Sequence, residues 1–229
     1  MSSQAADLPE RGPQETRILP HDIVAPSERD RLIEAMALTC AERGYAASSV
    51  EEVARRAGVS RRDFEENFAD KAECGTAAVN QMLADITAAA SIAYAPQYSE
   101  WEKILRGVRA LLELMAARPS FAGLAQIEAR QGMGPEAYEL YTSGIRILEA
   151  MLDRLQANAL GGVARPPSAI RGAIGGAEAL IRRELLAGRP ERLPELLPDI
   201  IYGMLAPYLD QQEALRYAGL ARELLNDGG

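Results

Sequence analysis

Two adjacent arginines, Arg61 and Arg62, follow Ala57-Gly58-Val59-Ser60, and Asp63, Glu65, Asn67 and Lys71 come within the next nine residues. Ser48 and Ser49 add hydroxyls just upstream. Guanidinium forks beside hydroxyl, amide and ammonium donors are the groups that grip phosphate oxygens and read base edges in a DNA groove. Groups that make or break covalent bonds are scarce. The only histidine is His21, in a proline-rich stretch, so neither a Ser-His-Asp nor a Cys-His arrangement has a base. Cys40 and Cys74 with one distant histidine do not have zinc-ligand spacing. A glycine-rich phosphate loop is missing as well. No enzymatic activity, cofactor or metal is therefore expected. Cys40 falls on an apolar helix face and is expected to be buried and inert, with a redox role for Cys74 the less favoured reading.

The elements that position these side chains are announced by caps. Residues 1–26 carry Pro9, Pro13, Pro20 and Pro26 among polar residues and read as a mobile arm. Ser27 with Asp30 begins a helix whose stripe is Leu32, Ile33, Met36, Ala37 and Cys40, with Gly44 as its stop. Ser49 with Glu52 begins a second helix, which ends at Gly58. Ser60 with Asp63 begins a third, burying Phe64 and Phe68, and Asp70 with Glu73 begins a fourth. The second and third helices are each too short to be stable alone. The four-residue turn between them has the length of a helix-turn-helix, with Gly58 supplying a positive φ and Val59 packing between the helices. Arg61 and Arg62 then lie in the first turn of the third helix, where side chains enter a major groove.

Beyond Pro96 the pattern predicts helices near 99–117, 119–131, 135–158, 167–187, 194–208 and 211–225, bounded by prolines and glycines. Hydrophobic residues make up 48% of the chain but aromatics only 5%. The core must then be Ala, Leu, Ile and Val, a mixture that favours helix. The fold class is expected to be all-α, an N-terminal three-helix bundle followed by a larger helical domain. No apolar run reaches the roughly 20 residues of a membrane span, and no signal peptide is visible. Two cysteines make no disulfide framework, which suits a reducing cytoplasm. A net charge of −8 is unusual for a DNA binder, but the charge of the contacting face decides, and an acidic second domain can dominate the total.

Gly44-Tyr45, Ser48-Ser49-Val50, Val53-Ala54, Ala57-Gly58-Val59-Ser60, Phe64, Phe68 and Asp70-Lys71 together resemble the TetR family of transcriptional regulators over roughly residues 29–75. The resemblance implies an arm at 1–26, a DNA-binding domain at 27–72 and a ligand-binding and dimerisation domain at 73–229. It places Ser48 or Ser49, Ser60, Asn67 and Lys71 at phosphates and Arg61, Arg62 and Asp63 at bases. Glu65 departs from the pattern, since the family usually has a second aromatic there. Two accounts stand: Glu65 or Asp63 accepts a hydrogen bond from a cytosine amino group, or the carboxylates repel phosphate and DNA binding is weak or lost. In the plainest reading, Arg61 and Arg62 form an ordinary solvated face.

The same resemblance implies a pocket in the middle helices and a dimer through the last two long ones. Candidate pocket residues are Tyr98, Trp101, Met115, Phe121, Gln126, Tyr138 and Tyr141, with Tyr94 also among the bulky residues there. The stripe Ile170, Ile174, Ala177, Ile181 and Leu185, with Ile200, Ile201 and Met204 on the next helix, is expected to meet a second copy. Gly172, Ala173, Gly175, Gly176 and Ala177 would allow a close approach. The expected function is a repressor that leaves a palindromic double-stranded DNA operator when a small hydrophobic effector binds, with no membrane partner. The alternative is a helical ligand- or partner-binding dimer whose helix-turn-helix no longer binds DNA.

Overall fold

The computed structural model describes residues 26–93, 98–159 and 167–226. Among these residues every regular element is a helix. The expected arm with His21, Tyr94 and the Gly161-Gly162 and Pro166 breaks lie outside them.

The first helices are α1 (Glu28–Arg43), α2 (Val50–Ala57) and α3 (Arg61–Asn67). Ser27, Ser49 and Ser60 each accept from the backbone N–H three residues on, and Asp30, Glu52 and Asp63 return a carboxylate to the serine N–H. Each box satisfies two donors that a helix start leaves open, worth about 1 kcal/mol. Caps alone do not hold helices of eight and seven residues. Tertiary packing does so: Val53, Ala54, Phe64 and Phe68 are buried with Leu32, Ile33 and Met36 of α1. Cys74, Val79 and Met82 of α4 (Lys71–Ala93) complete this core. The Phe64 and Phe68 rings lie 5.8 Å apart at 47°, a tilted pair.

The larger part comprises α5 (Glu100–Ala117), α6 (Pro119–Gly123), α7 (Ala129–Gln131), α8 (Pro135–Ala159), α9 (Pro167–Leu186), α10 (Leu197–Leu205) and α11 (Gln211–Asn226). α4 links the two parts, packing on α1 at one side and on α5 and α8 at the other. At Gly75 this contact is so close that an added Cβ would stand 2.6 Å from Met133 Cε and 3.2 Å from Tyr45 Cε2. α10 lies against both α9 and α11.

Two expected helices are not continuous. The segment 119–131 is interrupted by a π-helical turn, Leu124–Glu128, whose wider winding keeps Leu124, Ala125 and Gln126 all buried. The segment 194–208 shrinks to α10, preceded by 3₁₀ turns at Pro190–Arg192 and Pro194–Leu196. Proline lacks the N–H that an α-helix would need from it, so each of these turns starts on one. No helix among the described residues is long and apolar enough to cross a membrane.

Candidate nucleic-acid interface

The turn between α2 and α3 depends on one backbone conformation. Gly58 has φ 69° and ψ 34°, in the left-handed region that side chains disfavour. Its N–H reaches Arg55 O at 3.2 Å, and Val59 N–H reaches Ala54 O at 3.0 Å, so α2 ends with its last carbonyls satisfied. Val59 packs half-buried on the core. The Arg31 guanidinium on α1 donates to Ala57 O at 3.2 Å, tying the end of α2 to the bundle. The chain therefore leaves Ser60 in a set direction, and the face of α3 opposite Phe64 points to solvent.

That face carries paired charges. Arg61 Nε donates to Glu65 Oε1 at 2.8 Å, and its Nη1 also donates to Glu51 on α2. Arg62 Nε donates to Glu66 Oε1 at 2.9 Å. The Asp63 carboxylate is turned to the helix start, accepting from Ser60 N–H at 2.8 Å. That backbone hydrogen bond, with the Ser60 hydroxyl, holds its carboxyl below the usual aspartate range. Asp63 is committed to its own helix.

The residues expected at phosphates are also engaged within the fold. The Ser48 side chain is buried and its hydroxyl donates to Gly44 O at 2.8 Å. The hydroxyls of Ser49 and Ser60 are cap acceptors. Asn67 Nδ2 donates to Asp63 O at 2.8 Å. Lys71 Nζ donates to Tyr45 O at 2.9 Å and Ser48 O at 2.8 Å, lying 4.2 Å over the Tyr45 ring. This lysine clamps the α1–α2 connection onto α4 with two of its three donors. Arg55, in the last turn of α2, was not among the expected contacts; it is exposed and has no ion pair with any described residue. Its place in that turn was the available signal.

Both cysteines are free and buried. Burial pushes the Cys40 thiol up to about 11 and the Cys74 thiol up to about 12, so both stay protonated.

The candidate pocket residues are dispersed. Met115 and Phe121 are buried, with the Arg118 guanidinium 3.9 Å over the Phe121 ring. Trp101 stands 5.5 Å from Tyr217 of α11, and Arg106 covers Tyr98 at 4.1 Å. Tyr138 is exposed, its ring 6.4 Å from that of Tyr141. The Tyr141 hydroxyl accepts from Arg130 at 2.9 Å and donates to Glu178. Burial, then the bond to Glu178, raises its pKa, which keeps it a donor. Gln126 is buried and its Oε1 has no partner among the described residues. An open cleft of about 520 Å³ lies between α1, α2, α4 and α6, with Arg31, Arg56, Gln81, Arg118 and Phe121 on its walls.

The expected dimer stripe faces inward for its larger members. Ile170, Ile174 and Ile181, with Ile200, Ile201 and Met204, are buried within the single chain. The expectation that these residues meet a second copy is thus not carried by exposed side chains: α9 packs on α6, α8 and α10 of the same chain, and α10 on α9 and α11. Leu185 and Ala177 are half-buried. The outer side of α9 and α10 is instead a shallow groove of about 520 Å³, lined by small residues including Gly172, Ala173, Gly176, Ala177 and Gly203.

Residues 32–78 match the model of the bacterial regulatory proteins, tetR family. No curated protein sequence matches the chain. Similar solved structures include a fatty acid degradation regulator, FadR, from Bacillus halodurans. It is 17% identical with TM-score 0.68, over 81% of this chain and 97% of that one. FadR from Bacillus subtilis, in complex with stearoyl-CoA, is 19% identical with TM-score 0.65, over 78% and 97%. SmeT, repressor of the Stenotrophomonas maltophilia efflux pump SmeDEF, is 19% identical with TM-score 0.62, over 80% and 91%. At these identities the likeness is one of fold.

Proposed function

We propose, from the match of residues 32–78 to the model of the bacterial regulatory proteins, tetR family, that the chain is a dimeric repressor released from a palindromic operator by a small hydrophobic effector. The observation that carries the reading is the left-handed Gly58 turn, which presents α3 with Arg61 and Arg62 outward. Residues 27–72 form the DNA-binding domain and residues 73–229 the sensing and dimerisation domain. Two copies join through the groove on α9 and α10, where Gly172, Ala173, Gly176, Ala177 and Gly203 let helices approach closely. An isologous contact of this kind sets two copies of α3 on successive major grooves. Arg55 joins Arg61 and Arg62 as a cation available to DNA.

The effector class is an apolar chain with a polar end, and a structure of like fold is described with stearoyl-CoA. Tyr141, Arg130 and Glu178 supply a polar cluster in the body. Effector binding shifts the population toward a form with the two copies of α3 out of groove register.

A second reading is favoured by one observation. Residues 49–68 hold four arginines against five carboxylates, the pattern of a dimer whose helix-turn-helix has lost DNA. Selection from a random duplex library by purified protein decides between them. A recovered palindrome that an acyl-CoA or fatty acid displaces supports the repressor. Recovery of no sequence above background supports the second reading.

A further inference from the structure

The two outward arginines of α3 are held in different ways. Arg61 commits Nε to Glu65 and Nη1 to Glu51, and so bridges α3 to α2 across the turn. Arg62 commits only Nε, to Glu66, and neither of its terminal nitrogens has a partner among the described residues. The Arg62 side chain is also the more exposed, 85% against 64%. Reading a guanine edge takes two parallel N–H groups aimed at O6 and N7. A guanidinium fixed at Nε by a carboxylate keeps its terminal fork whole and loses rotational freedom before DNA arrives.

We propose that Arg62 reads a guanine in each operator half-site and that Glu66 is its positioning residue, while Arg61 latches α2 to α3 and does not read a base. The inference rests on the DNA-binding reading above and names the base pair that it requires. Glu66 acts in two ways. It orients the fork, and it competes with backbone phosphates for the same arginine. Exposed ion pairs of this type contribute little to folding, so Glu66 is dispensable for stability. Glu65 is likewise engaged, as the acceptor of Arg61.

The test uses the full chain, a palindrome selected from random duplexes, the same palindrome with its Arg62-facing G·C pair exchanged, and random-sequence DNA. Wild type should prefer the selected G·C pair. Arg62→Ala should lose roughly five- to 150-fold on the selected site and no longer distinguish the exchanged one. Arg62→Lys should lose that distinction too while keeping its affinity for random DNA, because a point charge holds phosphate but has no fork. Glu66→Gln should bind random DNA a few-fold more tightly, with a salt slope steeper by about one unit, narrowing the ratio of selected to random affinity. Arg61→Ala should weaken both DNAs alike, with the G·C preference intact.

If Arg61→Ala erases the preference and Arg62→Ala keeps it, the assignment is overturned. If Glu66→Gln leaves the selected-to-random ratio unchanged, the positioning role is overturned while DNA binding stands. If wild type selects no sequence at all, the DNA-binding reading fails and this inference falls with it, an outcome distinct from the other two.

Discussion

The face of α3 and the face of α9 and α10 are both exposed, and they are made of opposite materials. α3 presents long charged side chains, each arginine tied to a glutamate. The groove on α9 and α10 is lined by glycine and alanine together with Leu180, Ile200 and Pro207, and it carries a single carboxylate, Asp199. A surface of guanidinium forks discriminates by hydrogen-bond pattern and is sensitive to salt. A surface of small and apolar groups associates by shape, since only a matching helix can come close enough for dispersion and apolar burial to add up. Changing a charge should therefore alter one face, and changing a volume the other.

The largest expected effect removes the support of the charged face altogether. Phe64→Ala should destabilise the chain by about 3–5 kcal/mol, the range for a buried aromatic truncated to alanine. DNA binding should vanish while sedimentation still reports a dimer; loss of the dimer as well would show that the two faces are not independent. On the smooth face, Gly176→Phe should weaken association by about 1–3 kcal/mol per copy, felt twice across an isologous contact. Analytical ultracentrifugation checks this, and an unchanged dimer would move the interface elsewhere. Replacing Lys71 by Met should cost about 1–3 kcal/mol in a thermal melt, because the Tyr45 and Ser48 carbonyls lose their donor. If Lys71→Met instead leaves stability alone and only flattens the salt slope of DNA binding, the lysine is a phosphate contact and not a clamp.

The smallest effect is one of pH. The Asp30 and Asp63 carboxyls on α1 and α3, and that of Glu102 on α5, are held below their usual ranges mainly by hydrogen bonds to their capping serines. The folded chain then binds fewer protons than the unfolded chain as pH falls. Their stabilisation is complete above the ordinary carboxylate range and is lost below about pH 4 as the lowered values are passed. Denaturant midpoints at several pH values should decline on the acid side, less steeply for Asp63→Asn. An acid limb identical in wild type and variant would remove the cap from the account.

The head of the chain was legible because its signals are local. Ser27, Ser49 and Ser60 cap helices three residues from their partners, and Gly58 takes the φ that its turn needs. The Arg61–Glu65 and Arg62–Glu66 pairs follow from i, i+4 spacing and could have been read in the same way. What stayed hidden depends on distant residues. Lys71 is claimed by carbonyls 26 and 23 positions earlier, which no local pattern reveals. The stripe of Ile170, Ile174 and Ile181 was visible, but periodicity states only that residues share a face. Which neighbours cover that face is a tertiary fact, and here elements of the same chain bury it. The π turn at Leu124–Glu128 has no capping residue or proline of its own, and so left no mark in the pattern. Bulk alone could not sort Met115 and Phe121, which are core, from Tyr138, which is exposed.

The two sealed thiols make the chain a quiet background for chemical labelling. Maleimides and methanethiosulfonates are attacked by thiolates, and neither Cys40 nor Cys74 offers one near neutral pH. A single cysteine introduced on the exposed face of α3, for instance at Glu66, would be the one reactive sulfur per described chain, with no need to engineer out native ones. Spin labels there on both members of a dimer would act as a ruler between the reading helices. The distance distribution, recorded with and without DNA and with and without an acyl-CoA, would report directly whether their separation changes.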